Sequence, residues 1–100
     1  MTLVKICGIK NLEEAVCAAS HGTWAIGEVF APSPRRIAVE KAATINRNLN
    51  GSIIKIGVFV NEKLEEVERI AKLCRLDMVQ LHGDEPPEYV EELKLPVIKS

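Results

Sequence analysis

Val4-Lys5-Ile6-Cys7-Gly8-Ile9 forms a short apolar strand that ends in a cysteine and a glycine, just before a helix begins. In parallel α/β proteins, the residues at the carboxyl ends of the strands line the ligand-binding edge of the sheet. Side-chain alternation puts Lys5 and Cys7 on one face of this strand. A thiol in this place, beside a lysine and a helix start, could act as a base or a nucleophile. The other interpretation is a small buried side chain that closes a strand.

The composition indicates a globular chain of one domain at most, since 47% of the 100 residues are hydrophobic. Thirteen basic residues against fourteen acidic ones give a net charge of −1, which argues against nucleic acid or an anionic membrane as the main partner. No segment reaches the roughly 18 apolar residues of a membrane span, and the first residues lack a signal-peptide pattern. We therefore expect neither a nucleic-acid nor a membrane partner.

The three cysteines are Cys7, Cys17 and Cys74, an odd number at wide spacing and without a Cys-x-x-Cys pair. This pattern fits neither a disulfide framework nor a zinc site. The sequence therefore predicts no metal and a reducing, cytoplasmic compartment.

Strand and helix patterns alternate along the chain. Strands are predicted at 3–7, 24–30, 53–60 and 77–82 and again from 95, and helices at 12 to about 21, about 39–48, 61–74 and 83–93. Asn11 with Glu14 forms a capping box for the first helix, and Asn61 is predicted to cap the third. Cys74 falls on the apolar side of that third helix and is predicted to lie in the core.

Repeating strand–helix units of 20 to 30 residues predict a parallel sheet with right-handed crossovers. Five strands and four helices could form a complete doubly wound domain of the flavodoxin-like kind. They could equally form the first part of an eight-stranded barrel, which typically needs about 250 residues. Periodicity alone leaves both architectures open.

Four motifs resemble one enzyme family. They are Lys5-Ile6-Cys7-Gly8-Ile9 with Asn11-Leu12-Glu13, Phe30-Ala31-Pro32-Ser33-Pro34-Arg35-Arg36-Ile37, Gly57-Val58-Phe59-Val60-Asn61, and Val79-Gln80-Leu81-His82-Gly83-Asp84-Glu85-Pro86. Together they resemble the phosphoribosylanthranilate isomerases of tryptophan biosynthesis, in order and along the whole chain. The resemblance implies that residues 1–100 are the N-terminal part of a single (β/α)8 TIM-barrel domain, from the first strand to the fifth.

The resemblance also implies the reaction, an Amadori rearrangement of N-(5-phosphoribosyl)anthranilate to 1-(2-carboxyphenylamino)-1-deoxyribulose 5-phosphate. This chemistry uses an acid at the ring oxygen and a base at C2. In the family the base is the cysteine that ends the first strand, which corresponds to Cys7. The family's acid, on strand six, and its phosphate-binding loops fall beyond residue 100. The implied partner is a small phosphorylated substrate, and no cofactor is implied.

An arginine of the second strand–helix loop holds the anthranilate carboxylate in this family, and the spacing favours Arg35, with Arg36 as the second candidate. A solvated arginine pair is the alternative. Gln80 and His82 share one face of the fourth strand and are expected at the barrel mouth, where His82 could contact substrate or serve structure. Lys5 is expected to face inward and form an ion pair.

Glu28 lies where the family usually carries an aromatic residue, and Trp24 is also unusual at its position. A buried carboxylate without a partner is costly. We therefore expect Glu28 to face the barrel interior, because a position facing the helices would weaken packing and suggest an altered sequence.

Two rival functions remain. One is a non-catalytic half-barrel or engineered assembly module, and the other is a flavodoxin-like binding domain, for which the Gly8-Ile9-Lys10 segment offers little phosphate cradle. Unpaired strand edges predict that the 100-residue segment alone self-associates or is only loosely folded. Since the family's acid and phosphate loops fall beyond residue 100, we also expect no measurable isomerase activity from this segment.

Overall fold

Strands and helices alternate through residues 5–20, 22–49 and 53–99, the parts of the chain that the computed structural model describes. The elements are β1 (Lys5–Cys7), α1 (Leu12–Ser20), β2 (Ala25–Val29), α2 (Val39–Arg47), β3 (Ile54–Phe59), α3 (Leu64–Cys74), β4 (Met78–Leu81), α4 (Pro87–Glu92) and β5 (Val97–Lys99). All nine were predicted, with ends that differ by a few residues. The predicted strand positions 3 and 4 and the predicted helix end near 21 lie outside the described residues.

The strand order separates the two architectures that periodicity left open. The five strands are parallel and lie in chain order, β1-β2-β3-β4-β5. A flavodoxin-like sheet has the order 2-1-3-4-5, with the first strand inside the sheet. A sheet that adds each new strand on the same side is the open form of a (β/α)8 barrel. The flavodoxin-like alternative is therefore wrong.

The two faces of the sheet pack differently. Ile26 and Phe30 of the β2 region, with Phe59 of β3, belong to the main core that includes Ala42 and Ile45 of α2. The rings of Phe30 and Phe59 stack with centroids 5.3 Å apart. The opposite face carries a small separate cluster of Val29, Ala31 and Val58. One face thus packs against the helices, and the other is the inner face of the half-barrel.

The first helix begins as predicted. The Glu14 N–H donates to Asn11 Oδ1 at 2.8 Å, and Glu14 Oε1 accepts from the Lys10 N–H at 2.7 Å. The reciprocal bond of the capping box therefore goes to the residue before the cap. No helix within the described residues is both long and apolar enough to cross a membrane.

The predicted cap of the third helix is wrong. The residue at the N-cap of α3 is Lys63, without a side-chain hydrogen bond. Asn61 instead adopts a left-handed φ of 51°, which asparagine tolerates better than most residues, and its Oδ1 accepts from the Asp84 N–H at 2.8 Å. The side chain ties the end of β3 to the turn after β4 and is not free to cap.

Cys74 lies in the core, as predicted, with a side chain that is fully buried at the end of α3. Its Sγ lies 3.5 Å from the Val39 carbonyl oxygen of α2. Burial, with a smaller contribution from the nearby Glu28 carboxyl, raises the pKa of the Cys74 thiol to about 11. This cysteine is therefore a packing residue.

Glu28 faces the helices, so the prediction of an inward side chain is wrong. The residue is 0% exposed, and its Oε1 accepts a 2.8 Å hydrogen bond from Asn46 Nδ2 of α2. The physical reason is alternation, because Glu28 lies between Ile26 and Phe30 and shares their face. The partner, the buried Asn46 amide, had no signal in the sequence.

The Glu28 carboxyl is only half satisfied. Asn46 Nδ2 also donates to the Cys74 carbonyl oxygen at 2.8 Å, while Glu28 Oε2 and Asn46 Oδ1 are buried without a partner among the described residues. Burial raises the pKa of Glu28 to about 7, against the opposing effects of the Asn46 hydrogen bond and the Lys55 charge.

Trp24, the other unusual residue, is 37% exposed beside β2, and nothing in the structure explains it.

Candidate active site

Cys7 is exposed at the carboxyl end of β1, next to β2. The N–H groups of Gly8 and Ile9 both donate to the Gly27 carbonyl oxygen, at 2.9 and 3.1 Å. A Cβ on Gly27 would lie 2.9 Å from Cys7 Sγ and 3.2 Å from Cys7 Cα. A side chain at position 27 would therefore crowd Cys7, and the two hydrogen bonds hold the turn that follows β1.

Arg35 comes from the loop after β2 and lies over the turn that follows Cys7. A Cβ on Gly8 would lie 2.6 Å from Arg35 Cδ and 3.4 Å from Nη1, and Gly8 has a φ of +89°. Glycine is therefore needed both for the left-handed turn and for the close approach of the arginine. Cys7, Gly8 and Arg35 line one open cleft, together with Lys10 and Asn11, which we call the Cys7 cleft.

Two hydrogen bonds hold the loop that carries Arg35. The Arg35 N–H donates to Ser33 Oγ at 3.1 Å, and Lys10 Nζ donates to the Pro34 carbonyl oxygen at 3.3 Å. The second bond joins the loop after β1 to the loop after β2. Arg35 is therefore set beside Cys7 by contacts from both loops.

Arg36 lies elsewhere. It lines a separate groove with Ile37, Glu62 and Glu66, between the loop after β2 and the start of α3. Its position therefore differs from that of Arg35, although the two residues are adjacent in sequence.

Gln80 and His82 continue the inner face at β4. Lys5 Nζ donates to Gln80 Oε1, and Gln80 Nε2 lies 2.9 Å from His82 Nε2. His82 is exposed just beyond the end of β4. Its main-chain N–H donates to the Phe59 carbonyl oxygen at 3.0 Å. Lys5 faces inward, as predicted. Among the described residues, its Nζ contacts the Gln80 amide and no carboxylate, so the predicted ion pair is not observed there.

One polar cluster at the same edge of the sheet was missed. Lys99 Nζ lies 2.8 Å from Glu85 Oε1, and Glu85 Oε2 accepts from the Asn61 N–H at 2.8 Å. Burial works in the opposite direction, but these bonds hold the pKa of Glu85 below its ordinary value. The cluster joins the carboxyl ends of β3, β4 and β5, and the acidic turn after β4 was its only signal in the sequence.

The Cys7 cleft combines a potential base with a potential anion-binding group. An exposed thiol can take a proton as its thiolate, and a guanidinium binds a carboxylate or phosphate through paired hydrogen bonds. Within residues 5–20, 22–49 and 53–99, no three His, Cys, Asp or Glu side chains are grouped as metal ligands would be. The arrangement suits proton transfer on an anionic organic ligand.

The comparisons with known proteins agree on one family. Residues 4–100 match the family model described as N-(5'phosphoribosyl)anthranilate (PRA) isomerase. The N-(5'-phosphoribosyl)anthranilate isomerase of Syntrophomonas wolfei is 67% identical over 100 residues, which are all of this chain and 49% of that relative. The chain thus spans about half the length of the curated relatives that it matches.

Solved structures show the same fold. Phosphoribosyl anthranilate isomerase from Thermotoga maritima superposes with a TM-score of 0.97 at 43% identity, over 99% of this chain and 50% of that one. Another structure of a phosphoribosyl anthranilate isomerase, with the same TM-score and identity and 53% of its chain covered, holds reduced 1-(o-carboxyphenylamino)-1-deoxyribulose 5-phosphate. These proteins are (β/α)8 TIM barrels, and the five strands correspond to half of one barrel, which confirms the predicted fold class. The chain belongs to the phosphoribosylanthranilate isomerase family.

Proposed function

We propose that this chain supplies the first half of a phosphoribosylanthranilate isomerase barrel, which works in cytoplasmic tryptophan biosynthesis without a cofactor. The substrate is N-(5-phosphoribosyl)anthranilate, an aminoaldose that is converted to the aminoketose. The observation that carries this proposal is the Cys7 cleft, in which an exposed thiol and Arg35 lie together at the carboxyl edge of the sheet. This is the edge where TIM barrels carry their active sites.

Cys7 is the general base in this proposal. After an acid protonates the ring oxygen, the sugar opens to an iminium ion, with a double bond between C1 and nitrogen. The Cys7 thiolate then takes the proton from C2, the C–H electron pair becomes the C1–C2 double bond, and the iminium pair returns to nitrogen. The resulting enol tautomerises to the ketone, with a proton added at C1. The acid belongs to the part of the family barrel that corresponds to positions beyond 100.

Arg35 holds the anthranilate carboxylate in this proposal, because its guanidinium lies over Gly8 in the same cleft as the thiol. Arg36, the second candidate, lines another groove with Glu62 and Glu66. Gln80 and His82, on the inner face at β4, take part in substrate binding at the mouth. The ligand held by a related structure has both a carboxyphenyl group and a phosphate, which suits an arginine clamp of this kind.

The test is a completed barrel, defined as this chain joined to the residues that follow the matched segment in the Syntrophomonas wolfei relative. A fluorescence assay should show isomerase turnover for the completed barrel and none for residues 1–100 alone. A folded completed barrel without turnover would overturn the proposal. Turnover by a compact monomer of residues 1–100 would show that the chain is a complete domain.

A non-catalytic assembly module is the alternative, which the family match does not favour, although the β1 edge carries features that promote association. Ile6 of β1 is 40% exposed, and Leu12 and Val16 of α1 are 37% and 50% exposed. β1 ends the strand order and pairs only with β2 among the described strands. Exposed apolar side chains beside an open strand edge promote association. Sedimentation of residues 1–100 should show concentration-dependent self-association, and a monomer at all concentrations would exclude this role.

A further inference from the structure

Three polar side chains form a line across the inner face of the half-barrel. Lys5 on β1 donates to Gln80 Oε1 on β4, and the other end of the Gln80 amide lies 2.9 Å from His82 Nε2. The contact between Lys5 and Gln80 skips β2 and β3, the two strands that lie between them in the sheet. The line therefore runs from the strand that ends in Cys7 to the mouth of the barrel at His82.

The donors in this line fix the position of one hydrogen atom. A lysine ammonium group has only donors, so the oxygen of the Gln80 amide must face Lys5. The amide nitrogen then faces His82, and an amide nitrogen is also only a donor. His82 Nε2 must therefore accept and carry no hydrogen. A neutral imidazole has one ring hydrogen, which in this arrangement lies on Nδ1.

We propose that Lys5 and Gln80 are positioning residues, which hold His82 in the Nδ1–H tautomer so that the ring presents Nδ1–H as a donor at the barrel mouth. The matching ligand feature is an acceptor oxygen, such as a carboxylate or sugar oxygen of a phosphorylated substrate. Only this ligand assignment rests on the proposed function. The tautomer follows from the hydrogen bonds alone.

The arrangement explains why a lysine lies below the cysteine without contacting a carboxylate. Lys5 is half-buried, and its bond to the Gln80 oxygen favours the amide orientation that turns the nitrogen towards His82. A turned amide would set its oxygen against His82 and move the ring hydrogen to Nε2. Lys5 thus acts on the His82 ring indirectly, through the side chain of Gln80.

The test is the tautomer of His82, read from long-range ¹⁵N–¹H correlations of the completed barrel in alkaline buffer, with His82→Gln to assign the signal. The parent protein should show His82 with its hydrogen on Nδ1. Gln80→Glu should move the hydrogen to Nε2, because a carboxylate at position 80 only accepts. Lys5→Met should raise the fraction of the Nε2–H tautomer above that of the parent, since the bond from Lys5 to the amide oxygen is lost. Lys72→Met, an exposed lysine of α3, is the control and should match the parent.

An Nε2–H tautomer in the parent, or the same tautomer in the parent and in Gln80→Glu, would overturn the inference. Kinetics test the ligand assignment separately. Gln80→Glu should lower kcat/KM about tenfold, the usual effect of one hydrogen bond, with no further loss when His82 is already alanine. An equal loss in both backgrounds would contradict a role through His82. A barrel with the predicted tautomers and no turnover would refute the proposed function and leave the tautomer assignment standing.

Discussion

The two faces of the β-sheet both carry polar groups, but in opposite settings. On the inner face, Lys5, Gln80 and His82 lie in a line at the open mouth. On the face that packs against the helices, Glu28 is fully buried, and one of its oxygens has no partner among the described residues. Inner-face groups can be solvated or can bind a ligand, whereas Glu28 can do neither.

This difference separates residues that serve a ligand from residues that affect stability. Substitutions at the mouth should change turnover and leave the fold intact, since Cys7, Arg35 and His82 are exposed. Substitutions at Glu28 should change the free energy of unfolding and its pH dependence. In the completed barrel, the two groups of variants should therefore differ in the property that they change.

The largest expected effect is at Cys7. Cys7→Ala should lower kcat by about a thousandfold, because a positioned general base contributes on that order. The unfolding midpoint should stay close to that of the parent, since the side chain is exposed. Lys41→Ala, at an exposed position on α2 that does not line the cleft, is the control and should keep parental turnover. Near-normal turnover in Cys7→Ala would remove the base from this strand.

The next effect distinguishes the two arginines. Arg35→Ala should lower kcat/KM by up to about a hundredfold through loss of a charge-assisted pair with the substrate carboxylate. Arg36→Ala should have a much smaller effect, because Arg36 lines a different groove. Steady-state kinetics of the two variants decide the matter, and a larger loss from Arg36→Ala would transfer the role to the neighbour.

Glu28 should make stability depend on pH. Burial raises its pKa from 4.5 to about 7, so the folded state holds the proton more tightly than the unfolded chain does. The stability that comes from keeping the Glu28 carboxyl protonated is therefore fully present below about pH 4.5. It is lost as the pH rises through about 7. Glu28→Gln keeps the hydrogen bond from Asn46 and cannot ionise, so it should be about 3 kcal/mol more stable than the parent at about pH 8.

Thermal and denaturant unfolding across this pH range measure the Glu28 effect. Glu88→Gln, at an exposed position in the first turn of α4, controls for the loss of one negative charge. Parallel stability curves for the parent and Glu28→Gln would mean that the carboxyl does not titrate in this range. Glu28→Phe also tests packing, because it replaces the acid with an apolar group among Ile26 and Phe30; we expect it to be stabilising, and a lower unfolding midpoint would contradict that expectation.

The smallest expected effect is at the start of α1. Asn11→Ala removes the side-chain oxygen that accepts from the Glu14 N–H, and should cost about 1 kcal/mol of unfolding free energy. Glu13→Gln, at a neighbouring exposed position without a capping bond, should have little effect. Equal losses in the two variants would show that the cap itself contributes nothing.

Local chemistry made much of the fold predictable. The Asn11 and Glu14 pair marked the first helix start, and the apolar period of α3 placed Cys74 in the core. The order of the strands in the sheet could not be predicted from local chemistry. Periodicity predicts which segments are strands or helices, but not which strands pair with each other. That information came from the family motifs and from the observed pairing of the strands.

The failures share a physical cause, because each depends on a partner distant in sequence. Glu28 was placed on the wrong face because its partner, Asn46, lies on a helix 18 residues away. Asn61 was taken for a cap because its contact with Asp84, across the ends of β3 and β4, has no local signal. In the candidate site, the family resemblance assigned the substrate carboxylate to Arg35, which lies in one cleft with Cys7, whereas the contact between Lys5 and Gln80 was not foreseen.

The proposed function requires that this chain supplies the base and the carboxylate-binding groups of an isomerase. It is tested most directly by mixing residues 1–100 with the separately produced second half of the Syntrophomonas wolfei relative and measuring turnover against the mixing ratio. We expect turnover that neither piece shows alone, saturating at one to one, and abolished when the first piece carries Cys7→Ala. Turnover that is equal with and without Cys7, or an associated and folded mixture without turnover, would contradict the claim.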